Sequence, residues 1–394
     1  MQALEVKIEP EVKEALLSLG RTEDVCLCPD RRRLAIAGFK GNVILLLEMA
    51  IDRSASGVSV SLADPMQVTS PELSYPHGLD FLDPNTLIVA NRTGSVTLLP
   101  LPKSGSKLAA YQASSLTVEP SDWTSLLRTP GSVTVWKKPD ESFSSEREIF
   151  ICNNYANTVT RHQFSSTGQI VARSEVLLHK WLSIPDGISV SPDGLWIAVS
   201  NHDTHCVLIY KNTAELGPES DPVGILRRVW CPHGLRFSPD GRHLFVADAG
   251  RPHVLLYSHD GSGWEGVHHP TSTLEVMDPK SFAQGHVSDQ EGGPKGIALD
   301  MSSEVMVVSS EFQPLDFFDI SEFLTPPLER QTECEARSSE KRAELAYELM
   351  VLRNVRNGML DTIISALRRR TPTMFHEALD RLRKRFQSFL GVYC

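Results

Sequence analysis

Pro185-Asp186-Gly187-Ile188-Ser189-Val190-Ser191-Pro192-Asp193-Gly194-Leu195-Trp196-Ile197-Ala198-Val199-Ser200-Asn201 decides the fold. Two runs of alternating apolar residues flank an Asp-Gly pair, which is the strongest short-range signal for a β-hairpin. The same phrase returns downstream as Pro232-His233-Gly234-Leu235, then Pro239-Asp240-Gly241, then His243-Leu244-Phe245-Val246-Ala247. Shorter copies of the opening stand at Pro76-His77-Gly78-Leu79, Pro130-Gly131-Ser132-Val133 and Pro294-Lys295-Gly296-Ile297, with a weaker one at Thr22-Glu23-Asp24-Val25. From Thr22 through Pro76, Pro130, Pro185, Pro232 and Pro294 the steps are 54, 54, 55, 47 and 62 residues.

A fixed period of this size marks a repeat architecture. A third strand follows each hairpin (Val96–Leu99, Cys206–Tyr210, His253–Tyr257), and often a fourth (Gly224–Val229, Thr273–Met277). Four strands in about 50 residues make a propeller blade. The expected fold is therefore all-β: a six-bladed β-propeller over residues 1–330, followed by an α-helical tail over 331–394. A pair of β-sandwich domains would not need the recurring opening. Blade six shows three strands, so the alternating Ala3–Ile8 segment is expected to supply its outer strand, with a helix over Pro10–Leu19 behind it. Lys137–Arg147 reads as a solvated loop, and Ala283–Gly293 as one that overhangs the face before Lys295.

The tail differs in kind. Leu345, Leu349, Leu352, Val355, Ile363 and Leu367 recur at helical spacing, and after Pro372 a second stripe runs through Met374, Phe375, Leu379, Leu382, Phe386 and Phe389. From Gln331 onward 12 Lys/Arg face 8 Asp/Glu, a net of +4, so the rest of a chain of net charge −10 carries −14. Helices over 340–390 thus offer three uses: covering the acidic propeller, forming a homodimer or protein contact, or meeting a membrane surface.

Net charge −10 gives no reason to expect nucleic acid as partner. No apolar run approaches the ~20 residues that span a bilayer, and the first 20 residues lack a secretory h-region. Seven scattered cysteines without Cys-x-x-Cys spacing argue against a disulfide framework, so buried thiols and a cytoplasmic setting are expected. No motif for an organic cofactor or phosphate loop is present.

In a propeller the innermost strands surround one axis, and the second residue of each opening lies near the channel mouth. Those residues are Glu23, His77, Gly131, Asp186, His233 and Lys295. Two carboxylates, two imidazoles and an ammonium would thus converge, with a gap at Gly131. The ends of the second strands (Asn91, Asn153 or Asn154, Asn201, Asp248) are expected one shell further out, as substrate-binding groups for a small molecule.

The string Pro-Asp-Gly-apolar, Ser-Pro-Asp-Gly, apolar, Ser-Asn over Thr22–Ser321 resembles the six-bladed calcium-dependent phosphotriesterase superfamily. That group includes gluconolactonase, senescence-marker-like and strictosidine-synthase-like proteins. A looser resemblance extends to NHL-repeat and peptidyl-amidoglycolate-lyase propellers. The gluconolactonase branch implies a divalent ion held by oxygen ligands, which Glu23 and Asp186 match and His233 does not. The lyase branch implies zinc on histidines from Pro-His-Gly openings, which His77 and His233 match in part.

Three readings stay open. The first is a metal-dependent hydrolase of lactonase type, with calcium, zinc or manganese on Glu23, Asp186 and His233. The second is a metal-free lyase, cyclase or condensing enzyme of strictosidine-synthase-like type; there Asp186 or Glu23 is the base, His77 or His233 moves protons, and Lys295 holds an anionic or carbonyl group. The third is a non-catalytic binding propeller that recruits a partner through its tail.

Overall fold

A computed structural model describes residues 2–55, 57–115, 125–137, 147–164, 171–300, 302, 304–324, 344–346, 348–350 and 352–353. The chain divides into two compact units, Met1–Gln331 and Thr332–Cys394. In the second unit the described residues lie in a helix between 344 and 353. The rest of the expected tail helices, from residue 354 on, and the loop at 138–146 lie outside the described residues.

The first unit is a six-bladed β-propeller. Strand β1 (Val6–Ile8) and helix α1 (Pro10–Leu19) lead into blade one, β2 (Thr22–Leu27), β3 (Arg33–Gly38), β4 (Val43–Ser54) and β5 (Gly57–Thr69). Blade two is β6 (Pro76–Asp83), β7 (Thr86–Asn91) and β8 (Val96–Pro100), and the chain then forms β9 (Ala110–Gln112). Blade three is β10 (Pro130–Trp136), β11 (Arg147–Asn153), β12 (Thr158–Phe164) and β13 (Val171–Leu178). Blade four is β14 (Pro185–Val190), β15 (Trp196–Asn201), β16 (Cys206–Lys211) and β17 (Gly224–Leu226). Blade five is β18 (Pro232–Phe237), β19 (His243–Asp248) and β20 (His253–Ser258), with β22 (Ser272–Glu275) outermost after an excursion through β21 (Gly266–His268). Helix α2 (Pro279–Gly285) precedes blade six, β23 (Gly296–Asp300), β24 (Val305–Ser309) and β25 (Asp316–Asp319).

The hairpin turns show why the Ser-Pro-Asp-Gly phrase recurs. In blade four Ser191 Oγ donates to Asp193 Oδ1 (2.5 Å) and accepts from Trp196 N (2.9 Å), while Leu195 N donates to the same Asp193 oxygen (2.9 Å). Blade five repeats this with Ser238, Asp240, His243 and Arg242. Both turns close through a glycine at positive φ, Gly194 at 74° and Gly241 at 68°, where a Cβ would be strained.

Apolar side chains of one blade pack on those of the next, so the cores lie between blades. Leu79, Phe81 and Val89 of blade two meet Ala35, Ile44 and Leu46 of blade one. Leu235, Phe237 and Val246 of blade five meet Ala198, Val207 and Ile209 of blade four. The ring closes the same way, with Val25, Leu34 and Leu45 of blade one against Ala298, Val305 and Phe317 of blade six, and Val12, Leu16 and Leu19 of α1 in the same cluster. Cys26, Cys28, Cys152, Cys206 and Cys231 are buried thiols.

One expectation is corrected. The N-terminal strand does not become the outer strand of blade six: β1 pairs in parallel with β5 of blade one, Val6 opposite Val60. Its tie to blade six is the bond from Leu4 N to Phe317 O (2.7 Å). The physical reason lies in β5, whose 13 residues leave a long edge for β1 and, further along, for β9. Pairing there covers backbone groups that would otherwise face solvent. Helix α1 spans Pro10–Leu19 as expected.

Candidate functional site

Five of the six inner strands start with a register irregularity at the opening: between Thr22 and Val25, Pro76 and Gly78, Pro130 and Ser132, Pro185 and Gly187, and Pro232 and Leu235; in blade six the register of β23 is regular from Gly296. Such a bulge takes one residue out of the ladder and re-aims its side chain. Three openings follow a non-glycine residue in the left-handed region, Tyr75 (54°), Thr129 (51°) and Ile184 (51°). A position before proline, and a β-branched one twice, is a costly place for that conformation, roughly 1–3 kcal/mol each. Tertiary bonds hold it: Asn42 Oδ1 accepts Tyr75 N (2.6 Å) and Asn157 Oδ1 accepts Ile184 N (2.8 Å). The carbonyls of Tyr75, Thr129 and Ile184 accept the amides of Arg92, Asn154 and His202, the residues just past the second strands.

The bulged residues meet at the mouth, all buried. Glu23 Oε2 lies 3.0 Å from Lys295 Nζ, 3.6 Å from His77 Nε2 and 3.8 Å from His233 Nε2. The two imidazoles stack with ring centroids 5.3 Å apart. Asp186 Oδ2 is 3.5 Å from His233 Nε2. Thus Glu23, His77, Asp186, His233 and Lys295, spread over 273 positions of chain from 23 to 295, form one cluster.

Four further contributors complete the cluster, of which the sequence offered only Asn154, as an alternative to Asn153. Arg21 Nε pairs with Glu23 Oε1, and Arg92 Nη1 stands 3.6 Å from Asp186 Oδ1. Asn154 Nδ2 donates to Asp186 Oδ1. Glu291, from the loop before blade six, reaches Lys295 Nζ (3.0 Å) and Arg21 Nη2 (3.3 Å). The gap at Gly131 is filled by two of them: a Cβ there would lie 1.7 Å from Asn154 Oδ1 and 2.8 Å from Arg92 Nη1. Those two atoms are buried and make no hydrogen bond. The available signal was positional, because Arg92 and Asn154 each directly follow a strand-ending Asn.

Asn91, Asn153, Asn201 and Asp248, expected as substrate-binding groups, point instead into the loops that precede the openings. Asn91 Oδ1 accepts Ser74 N, Asn153 Oδ1 accepts Arg128 N, and Asn201 Oδ1 accepts Ser183 N. Asp248 accepts the amides of Trp230, Cys231 and Gly250. Asn91 and Asn153 thus hold the loops behind the mouth, and the next residue along the chain, Arg92 or Asn154, reaches Asp186.

Burial opposes ionisation of Glu23, yet Lys295, then His77 and Arg21, hold its carboxyl well below the usual range. Burial likewise opposes ionisation of Asp186, and His233, His77 and Arg92 outweigh it. Desolvation lowers His77, and brings His233 down to about 4 against the pull of Asp186 and Glu23. Both carboxylates are therefore charged and both imidazoles neutral at pH 7. His77 Nδ1 lies 2.6 Å from the Gly131 carbonyl, which fixes the proton on Nδ1 and leaves the Nε2 lone pair facing Glu23.

Among the described residues, Glu23, His77 and His233 form a group that could hold a metal ion, their ligand atoms all within 4.8 Å of one another. Tetrahedral ligands at the ~2.1 Å of a zinc–nitrogen bond stand roughly 3.4 Å apart, close to the 3.6 and 3.8 Å between Glu23 and the imidazoles. Two nitrogens and one oxygen suit zinc, manganese or iron better than calcium, which prefers six to eight oxygens. The group differs from the expected set in holding His77 where Asp186 was expected.

No protein-family profile matches the chain, and no curated protein does. Among solved structures, Kuenenia stuttgartiensis hydrazine synthase is similar over 76% of this chain and 84% of that one, at 14% identity and a TM-score of 0.44. A likeness of that degree carries nothing about chemistry. No helix among the described residues is long and apolar enough to cross a membrane.

Proposed function

We propose that the protein is a small-molecule enzyme working at the channel mouth, a divalent-metal-dependent hydrolase of lactonase type. The observation that supports it is the buried Glu23–His77–His233 group, with two neutral imidazoles and an ionised carboxylate turned toward one point. A divalent cation there would supply Lewis acidity and a water acidified toward neutral pH. Glu23 keeps capacity for it, since a carboxylate offers about four lone-pair directions. Asp186, 3.5 Å from His233 Nε2, is the nearest unligated base. Its depressed pKa makes it a weak base, adequate for a proton that is already acidic. In ring opening, the water oxygen bonds to the acyl carbon, its proton goes to Asp186, and the carbon–oxygen ring bond breaks as Asp186 returns that proton to the ring oxygen, leaving a hydroxy acid. Arg92 Nη1, buried and without a hydrogen bond, is the donor for the oxygen that gains charge. Lys295 and Arg21 attract the carboxylate that forms.

A metal-free reading of strictosidine-synthase-like type has its own support. Glu23 is already held by both Lys295 and Arg21, and a cation beside two cations is costly. In that reading Asp186 or Glu23 is the base, His77 or His233 moves protons, and Lys295 holds an anionic or carbonyl group. Calorimetric titration of chelator-treated protein with zinc and manganese separates the two. Stoichiometric binding that is lost in both His77→Ala and His233→Ala supports the hydrolase. The absence of stoichiometric binding leaves the metal-free chemistry.

A further inference from the structure

Lys295 and Arg21 each hold two carboxylates of different standing. Glu23 comes from inner strand β2 and is fully buried. Glu291 comes from a surface excursion, and its side chain is 29% exposed. Residues His286–Glu291 leave the body and return within a short span. At the neck Gly285 and Gly292 touch so closely that a Cβ on Gly285 would lie 3.0 Å from Gly292 Cα, and one on Gly292 would lie 2.6 Å from His286 N. Inside the excursion His286 Nδ1 meets Glu291 O at 2.8 Å. A loop closed on itself at a glycine neck can swing with little change elsewhere. Its ties to the mouth include Glu291 to Lys295 and Arg21, and Trp230 Nε1 to Asp289 O at 2.8 Å.

The charges at the mouth point the same way. The groups in direct contact, Arg21, Arg92 and Lys295 with Glu23, Asp186 and Glu291, sum to zero while Glu291 is in place, and Glu311 acts on Arg21 from further off. Without Glu291 the groups in contact carry +1. A buried ammonium and a half-buried guanidinium would then share one carboxylate, and an uncompensated buried charge is strongly unfavourable. Any monoanionic group arriving from solvent would restore the balance.

We infer that the contact of Glu291 with Lys295 and Arg21 marks a subsite for the carboxylate of an organic ligand, filled by the chain's own side chain until that ligand displaces it. The inference rests on the reading of the mouth as the ligand site and names the ligand class: a small organic carboxylate, which includes the hydroxy acid that ring opening would release. The loop is then a cover whose latch competes with the ligand.

The test is titration of the monoanion propionate, with uncharged propionamide as control, into the full-length wild type, Glu291→Gln, Arg21→Gln and Lys295→Met. Calorimetry reads affinity, and fluorescence reads Trp230, with Trp230→Phe to assign the signal. Glu291→Gln is expected to bind propionate at least tenfold tighter than wild type, and Arg21→Gln and Lys295→Met at least tenfold more weakly. Propionamide should not bind, and propionate should change Trp230 emission in the wild type as the bond to Asp289 O breaks. Arg21→Gln, at a partly exposed position, keeps the test decisive where the buried Lys295→Met does not fold. Equal affinity in wild type and Glu291→Gln, still dependent on Arg21, overturns displacement while leaving the mouth as an anion site. Propionate binding indifferent to Arg21 and Lys295, or absent in Glu291→Gln, overturns both.

Discussion

Replacing Gly131 by alanine adds one methyl group and no charge, yet it should damage the mouth. The new Cβ would lie 1.7 Å from Asn154 Oδ1 and 2.5 Å from its Cγ, where side chains essentially never come closer than 3.0 Å. Asn154 must therefore retreat by about 1 Å or more, the approach distance of a packed interior. Its backbone is anchored, with Asn154 N on Thr129 O and Asn157 N on Asn154 O, so the side chain has to move. That motion breaks the bond from Nδ2 to Asp186 Oδ1. A hydrogen bond to a buried charge is worth ~1.5–3 kcal/mol, and Arg92 Nη1, 2.8 Å from the same point, is displaced as well. Urea unfolding should show a loss of about 2–3 kcal/mol at unchanged m. Gly217→Ala is the control, because the nearest heavy atom to its added Cβ is 3.9 Å away, and it should change stability by less than ~0.5 kcal/mol. A Gly131→Ala variant as stable as the control would refute the placement of Asn154 in the ring.

Other outcomes follow from the same structure. Arg33 is buried, pairs with no carboxylate among the described residues, and donates to the carbonyls of Pro84 and Pro102, joining blades one and two; Arg33→Met should cost about 3 kcal/mol in chemical denaturation. Stability should fall as the solution is acidified from about pH 6.5 toward pH 4. His162 and His233, both lowered to about 4 chiefly by burial, bind protons in the unfolded chain before the folded one, each adding a slope of about 1 kcal/mol per pH unit. Glu23 and Asp186, depressed in the fold, keep their stabilisation above their ordinary range and extend the loss below pH 4. His162→Gln should flatten the profile by its share without altering ligand or metal binding, as read by pH-dependent urea midpoints.

The blade count and the converging openings were legible because both rest on local chemistry that repeats. Ser191 and Asp193 close their turn with bonds spanning no more than five residues, so the phrase that encodes them is contiguous. The destination of β1 was not legible: an alternating hexapeptide fits any open edge, and the length of β5 settles the choice. The strand-end residues were misplaced for a related reason. Alternation along a strand gives two faces, but β7 ends at Asn91, and the bond from Arg92 N to the carbonyl of Tyr75 sets the backbone just past the strand. Glu291 and Arg21 reach the mouth from a loop and from the link after α1, where no period indicates direction.

Glu23, His77 and His233 present three ligand atoms to one buried point. Crystals grown with zinc or manganese and measured at the metal's absorption edge test whether that point takes a cation. An anomalous peak is expected at the channel mouth, bonded to Glu23 Oε2, His77 Nε2 and His233 Nε2. A peak confined to surface histidines such as His179 and His269, with the mouth still closed by Lys295 and Glu23 alone, would contradict it.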